Sequence, residues 1–249
     1  VVCFDVRDST YLDQARPWNS NIPNSLREWY HQNSTVQNYE LAARTLGDLG
    51  YFVLRMGKHV KDPFIVDHPR VIDYASEYWS DFMDVFLPYH CTFFMGQATG
   101  GASLPLVFRK PMAFINFLPY SEIAYCQYSG GFLIPKTYYS NILGRKLTIR
   151  ETVQNGLTKF QRGDPGNLPA FQALDLEFIQ NTPEEIQDAA LELHGRLHSS
   201  EIWTAEDQGL QERFWSVLRE FPEEIQIPEG ALRINIGARF FRRNQDLLD

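Results

Sequence analysis

Three short stretches of this chain carry residues suited to holding an anion: Arg7 within DVRDST, the run Arg55-Met56-Gly57-Lys58, and Gln97-Ala98-Thr99-Gly100-Gly101. An arginine presents a planar fork of donors that can grip two phosphate oxygens at once. A glycine pair lets backbone N–H groups approach a ligand closely, and a helix that follows aims its positive end at the same point. Thr99 adds a hydroxyl donor. Taken singly, each stretch has an ordinary explanation: Arg7 pairs with Asp8 or Asp13 on a solvated rim, and Gly100-Gly101 makes a plain turn. Three such groups at the tips of one sheet fit a diphosphate better.

Each group follows an apolar run of strand length, and those runs must position it. VVCFDV (Val1 to Val6) delivers Arg7, YFVLRMG delivers Arg55 and Gly57, and TFFMG precedes the glycine turn. MAFINFLP and GGFLIPK read as two further buried strands. Between them lie helical segments. One has Tyr39, Ala42, Leu46 and Leu49 on a stripe and Gly50 as its stop. SDFMDVFLPYHC places Phe82, Val85 and Phe86 inward, and ASLPLVF starts a helix with Pro105 in its first turn, where a missing N–H costs little. The alternation predicts an α/β fold, a Rossmann-like parallel sheet with helices on both faces. Such sheets collect ligands outside the carboxyl ends of their strands.

The chain divides at residue 147 on this reading: 1–147 form the Rossmann-like unit, and 148–249 add a strand and helices that pack on it. TPEEIQDAALELHGRL is a helix with Thr182 as N-cap, Pro183 at its first position and Glu185 completing a capping box. Its apolar face is Ile186, Ala189, Ala190, Leu193 and Leu197. A second helix starts at Thr204 with Leu210, Phe214 and Val217 inward, and ALRINIGARFFRRNQDLL packs back on the body. The polar stretch from Gln14 to Asn38 is long for a loop inside a domain, which marks it as functional or mobile.

Other chemistries find less support. The glycine turn is neither a phosphate loop ending in GKS or GKT nor a GxGxxG dinucleotide fingerprint. His194 and His198 are spaced i, i+4 but lack the Glu of HExxH, and read as a solvated pair. Asp175 and Glu177 sit by a strand, and Asp81 and Asp84 read as capping and surface groups. No metal site is therefore expected. No GxSxG is present, so serine-nucleophile chemistry has no frame. The net charge of −8 speaks against a basic nucleic-acid face, and anions must be held by local Arg and Lys instead. The three cysteines, Cys3, Cys91 and Cys126, are odd in number and unpatterned, which suits free thiols in a reducing cytoplasm. No apolar run reaches membrane-span length.

The runs VVCFDVRDSTYLD, NYELAARTLGDLGYFVLRMGKHV, and DYASEYWSDFMDVFLPYHCTFFMGQATGGASLPLVFRKPMAFINFLP resemble a bacterial glycosyltransferase family linked to surface-polysaccharide and glycoconjugate gene clusters. QNTPEEIQDAALEL, the region from Trp203 to Trp215 and RINIGARFFRRNQDLL are similar to that family's C-terminal end. More distantly, the DVRD tip with a Gly/Thr turn resembles the nucleotide-sugar half of GT-B fucosyltransferase-like enzymes. The resemblance implies that Arg7 holds a donor diphosphate and that Thr99, Gly100 and Gly101 add phosphate contacts. Arg55, Gly57 and Lys58 join the donor site on charge and location. Where the family carries H-V-R-D, this chain has Asp5-Val6-Arg7-Asp8; alternation puts Asp5 on the face of Arg7, where an ion pair is open to it.

The expectation is therefore a cytoplasmic, metal-independent, inverting glycosyltransferase that moves a sugar from a nucleotide-sugar donor to a glycan or glycoconjugate acceptor. It needs no cofactor beyond that donor. Arg7 would neutralise the departing diphosphate, and Asp8 is the candidate base. The acceptor half would precede Val1, together with any peripheral membrane association, or be reduced to Gln14–Asn38. The alternatives are a non-catalytic nucleotide-sugar-binding or assembly module, or a related epimerase or hydrolase.

Overall fold

The computed structural model describes residues 1–8, 10, 33–126, 131–158, 168–199, 203–225 and 234–249. Most of the polar stretch Gln14–Asn38, and the side chain of Cys126, lie outside those residues. The described chain forms an α/β fold around a parallel sheet. Its central strands are β1 (Val2–Asp5), β2 (Val53–Met56), β4 (Phe93–Gly96), β5 (Met112–Phe117) and β6 (Phe132–Pro135). These strands have almost every residue buried, on both faces. That is why they read as unbroken apolar runs rather than alternating ones. The two edges are held to two residues each, β3 (Val71–Ile72) and β10 (Asn235–Ile236), which leaves little unpaired backbone.

The strand order is β10-β6-β5-β4-β1-β2-β3, and every pairing is parallel. From β1 the chain winds outward through β2 and β3, then crosses back to β4 on the other side of β1 and winds the opposite way. The order reverses between β1 and β4. Such a reversal opens a crevice outside the carboxyl ends of the two strands.

Helix α1 (Glu40–Asp48) carries the chain from β1 to β2, with Tyr39, Ala42 and Leu46 fully buried. Leu49, expected on the same stripe, is 45% exposed; the helix stops at Asp48 and Gly50 turns away at φ +94°. A short helix, α2 (Tyr74–Glu77), precedes α3 (Asp81–His90), which leads into β4. The expected inward face of α3 is wrong. Phe82, Val85 and Phe86 are 69%, 48% and 40% exposed, and Leu87 and Pro88 are buried instead. Both faces of this helix are apolar, so spacing could not choose between them. The choice is made by polar anchors: Ser80 Oγ accepts the N–H of Met83, and the Asp84 carboxylate accepts from Trp79 Nε1 at 2.8 Å and from the Tyr74 hydroxyl at 3.2 Å.

After β4, helix α4 (Ser103–Val107) places Pro105 in its first turn, as expected. Helices α5 (Ile149–Gln154) and α6 (Leu168–Ala173) follow. Helix α7 (Pro183–Leu197) has the predicted box, Thr182 and Glu185 each bonding the other's backbone, and buries Ile186, Ala189, Ala190 and Leu193. It lies on α1, where Gln187 Nε2 donates to Thr45 Oγ1 at 2.8 Å. Helix α8 (Ala205–Arg219) starts from Thr204 and buries Leu210, Phe214 and Val217. Beyond β10, helix α9 (Ala238–Arg243) buries Phe240 and Phe241.

A small antiparallel sheet, β8-β7-β9, pairs β7 (Thr137–Ser140) with β8 (Arg145–Lys146) and β9 (Leu176–Ile179). It reaches across position 147, and β10 supplies the seventh strand of the main sheet. Residues after 147 thus complete the same sheet that β1 begins. Among the described residues no helix is long and apolar enough to cross a membrane.

Candidate functional site

The tips of β1, β2 and β4 open onto one cavity of about 460 Å³. Arg7, Asp8, Gly57, Lys58, Thr99, Gly100 and Gly101 all line it. The three stretches singled out in the sequence therefore do meet, and they meet where the strand order reverses. Parallel register explains the alignment: Asp5 lies level with both Met56 and Gly96, so the residues that leave the three strands emerge at one height. Gly96 is required there, because a Cβ on it would stand 2.4 Å from the Asp5 carbonyl oxygen.

Arg7 is held through its backbone. Its N–H donates to Gln97 Oε1 at 2.8 Å, and its carbonyl accepts the N–H of Ser34 at 2.9 Å. Gln97 is fully buried, and its Nε2 donates to the Tyr39 hydroxyl at 3.0 Å. Burial draws the Arg7 pKa below its ordinary value, while the charges of Asp5 and Glu122 oppose that. The guanidinium thus feels the charge of two carboxylates from a partly buried position.

In the glycine turn, Thr99 N–H closes on Gln97 O, and the Thr99 and Gly100 carbonyls accept from Ala102 and Ser103. The N–H groups of Gly100 and Gly101 donate to none of the described residues. They are two amide donors at the cavity wall. Helix α4 is only five residues long, so its dipole adds little, and the backbone of the turn itself carries the expected positive character. The Thr99 hydroxyl is not a phosphate donor here as expected from sequence: it donates to the Asp5 carboxylate. Burial raises the Asp5 pKa, and Thr99, Arg7 and Arg55 pull it part of the way back.

Arg55 is brought close but does not reach the cavity. It is 1% exposed, bonds Asp73 at 3.2 Å and lies 4.0 Å from Asp8. Asp73 in turn accepts the Phe64 N–H at 2.9 Å. Its strand position predicted a ligand-facing cation; β2 turns it into the sheet's flank, where it holds the loop after β3 and the tip of β1. Lys58 lines the cavity but pairs with Asp81 at 3.4 Å and stands 4.2 Å over the Trp79 ring. Gly57 adopts φ +139°, which favours glycine.

The proposed base, Asp8, has both carboxylate oxygens engaged by backbone. Oδ1 accepts the Thr10 N–H at 2.8 Å and Oδ2 the Lys61 N–H at 2.7 Å. It fastens the β1 tip to the loop after β2. Both oxygens are thus taken up by structural contacts.

Two features escaped the sequence reading. Lys136, at the end of β6, is buried and donates to the Asn33 carbonyl at 2.5 Å. Glu122, on the 3-10 turn Tyr120–Cys126 after β5, lines a second cavity of about 250 Å³ on the far side of the glycine turn. The signal for both was position: each follows a parallel strand's carboxyl end. Of the metal candidates, His194 Nδ1 is bonded to the Tyr51 hydroxyl at 2.9 Å, and no cluster of three or more His, Cys, Asp or Glu suited to a metal exists among the described residues. Cys3 and Cys91 are buried free thiols.

The fold and crevice define a doubly wound α/β protein of the Rossmann-like class. No protein-family model, curated protein or solved structure matches the chain.

Proposed function

We propose that this chain is the nucleotide-sugar-binding half of a glycosyltransferase, moving a sugar from a nucleoside-diphosphate donor to a glycan or glycoconjugate hydroxyl. The observation that carries this is the single cavity shared by Arg7 and the amide N–H groups of Gly100 and Gly101, which have no acceptor among the described residues, placed at the reversal of strand order. A diphosphate seated there would meet a guanidinium fork on one side and two backbone N–H groups on the other. As the bond to the sugar breaks, charge grows on the diphosphate, and donors lining the cavity would stabilise it. Met56, Val60, Phe94 and Leu104 give the same cavity apolar walls for the rest of the donor.

The test is binding of nucleoside diphosphates by calorimetry to wild-type protein and to Arg7→Ala. Affinity for UDP or GDP that Arg7→Ala abolishes supports the reading, and an unchanged affinity removes the site.

One observation favours a second reading, a non-catalytic module that binds nucleotide sugars. Asp5 withdraws the Thr99 hydroxyl from the cavity and sets a carboxyl beside the anion site. Donor binding by the full-length protein without turnover, over a panel of sugar acceptors, would select it.

A further inference from the structure

Four carboxylates line the two cavities: Asp5, Asp8 and Asp84 the larger, Glu122 the smaller. Three of them are committed. Asp5 takes the Thr99 hydroxyl, Asp8 takes two backbone amides, and Asp84 takes Trp79 Nε1 and the Tyr74 hydroxyl. Among the described residues, the Glu122 carboxylate alone of the four has no hydrogen bond or ion pair; it lines the smaller cavity and feels Arg7 only through its charge.

Its position is as informative as its freedom. The smaller cavity shares Thr99 and Gly100 with the larger one, so the glycine turn is the wall between them. Glu122 emerges after β5, the neighbour of β4, and lies close enough to Arg7 for each to alter the other's charge state. At about 250 Å³ the space is below the roughly 300–1,000 Å³ that a drug-sized ligand needs. It suits one sugar unit, with Ser103 as a polar contact and Leu106 and Phe114 as an apolar wall.

Resting on the glycosyl-transfer reading, the geometry points to the smaller cavity as the acceptor subsite and to Glu122 as the general base that takes the acceptor's proton. In that step the acceptor hydroxyl oxygen forms the bond to the anomeric carbon while its proton passes to a Glu122 oxygen. The anomeric carbon–oxygen bond to the diphosphate breaks, and the leaving group keeps the electron pair beside Arg7 and the Gly100 and Gly101 amides. Burial raises the Glu122 pKa, with Arg7 opposing, which makes it a stronger proton acceptor than an ordinary surface glutamate.

The experiment uses the full-length protein and measures two quantities separately for wild type, Glu122→Gln and Glu122→Ala: affinity for UDP and GDP, and release of diphosphate from UDP- and GDP-sugars with monosaccharide, disaccharide or water as acceptor. The expected result is turnover lowered about 100-fold or more in Glu122→Gln, with nucleotide affinity and melting temperature unchanged, and partial rescue of Glu122→Ala by added formate. Turnover of Glu122→Gln close to wild type, or loss of nucleotide binding along with turnover, overturns the inference and leaves the donor site standing. Wild-type protein that binds nucleotide but turns over no donor also overturns it. Wild-type protein that binds neither nucleotide overturns the donor site itself.

Discussion

The Thr99 hydroxyl donates to the carboxylate of Asp5, tying the glycine turn after β4 to the last residue of β1. Burial raises the pKa of Asp5 above its ordinary 3.8, so the folded protein holds that proton more tightly than the unfolded chain. The stability contributed is fully present below 3.8 and is lost as pH rises through the raised value. Asp5→Asn keeps an oxygen for Thr99 and removes the charge. We expect it to raise the melting temperature at pH 7, with the gain shrinking to nothing as pH falls towards 3.8. A variant less stable than wild type at pH 7 would show that Thr99 and the neighbouring arginines more than offset the burial.

The two glycines of the turn separate fold from binding. A Cβ on Gly101 would lie 2.8 Å from Asp5 Oδ2, whereas one on Gly100 has nothing within 4 Å. Gly100→Ala is therefore expected to change stability by less than about 0.5 kcal/mol, while its methyl group stands at the wall that both cavities share. Calorimetry with UDP and GDP should show weakened affinity for Gly100→Ala with an unchanged melting temperature. Gly101→Ala should lower both, because the clash falls on the Asp5–Thr99 link. Equal nucleotide affinity in wild type and Gly100→Ala would mean that the phosphates lie elsewhere.

The parallel sheet was legible because its strands are buried on both faces and read as unbroken apolar runs, and the tips were legible because each run ends in a change of residue type. That placed Arg7, Gly57, Lys58 and Gly100-Gly101 together correctly. What residue type could not convey was which way a side chain leaves its strand or helix. Arg55 sits one residue before the end of β2, and its guanidinium runs to Asp73 rather than to the cavity. Phe82, Val85 and Phe86 carry an inward-looking spacing, yet Asp84 is pinned by Trp79 and Tyr74 and turns that stripe outward. Glu122 was missed because a lone glutamate in a polar loop has no sequence signature; only the cavity beside the glycine turn distinguishes it.

That orientation of α3 has a direct consequence for stability. Phe82→Ser exposes nothing new and should cost less than about 0.5 kcal/mol in urea unfolding. Leu87→Ala, on the buried face of the same helix, should cost roughly 2–5 kcal/mol. A reversed ranking would mean that the helix packs through its aromatic stripe.

The Arg55–Asp73 pair should behave as structure rather than as site. Both partners are buried, and removing Asp73 leaves the Arg55 charge buried with only Asp8, 4.0 Å away, to offset it. Such a loss costs roughly 3–5 kcal/mol, so Asp73→Ala should lower the urea midpoint strongly. Asp73 also accepts the Phe64 N–H, which orphans a further donor. Folded Asp73→Ala at low temperature should still bind nucleoside diphosphate within a few fold of wild type, since neither partner lines the cavity. Loss of binding in folded protein would return Arg55 to the ligand site.

Lys136 supplies a pH signature independent of any ligand. Its ammonium is buried against the Asn33 carbonyl, and burial first, then the nearby charge of Arg7, brings its pKa from 10.5 down to about 8. Between those two values the unfolded chain binds the proton and the folded one has released it, so stability must rise with pH across that window. The stability contributed is complete above 10.5 and is lost as pH falls through about 8. Lys136→Met keeps the stem and removes the charge, so the variant should be the more stable protein at pH 7. The difference should narrow steadily between pH 8 and 10.5 as wild type sheds the same charge. Melting temperatures of the two proteins at matched pH read this directly, and the subtraction cancels the tyrosines and thiols that titrate in the same range. A difference that stays constant across the window would mean that Lys136 keeps its proton in the fold throughout, and that the Asn33 carbonyl satisfies it more completely than its burial implies.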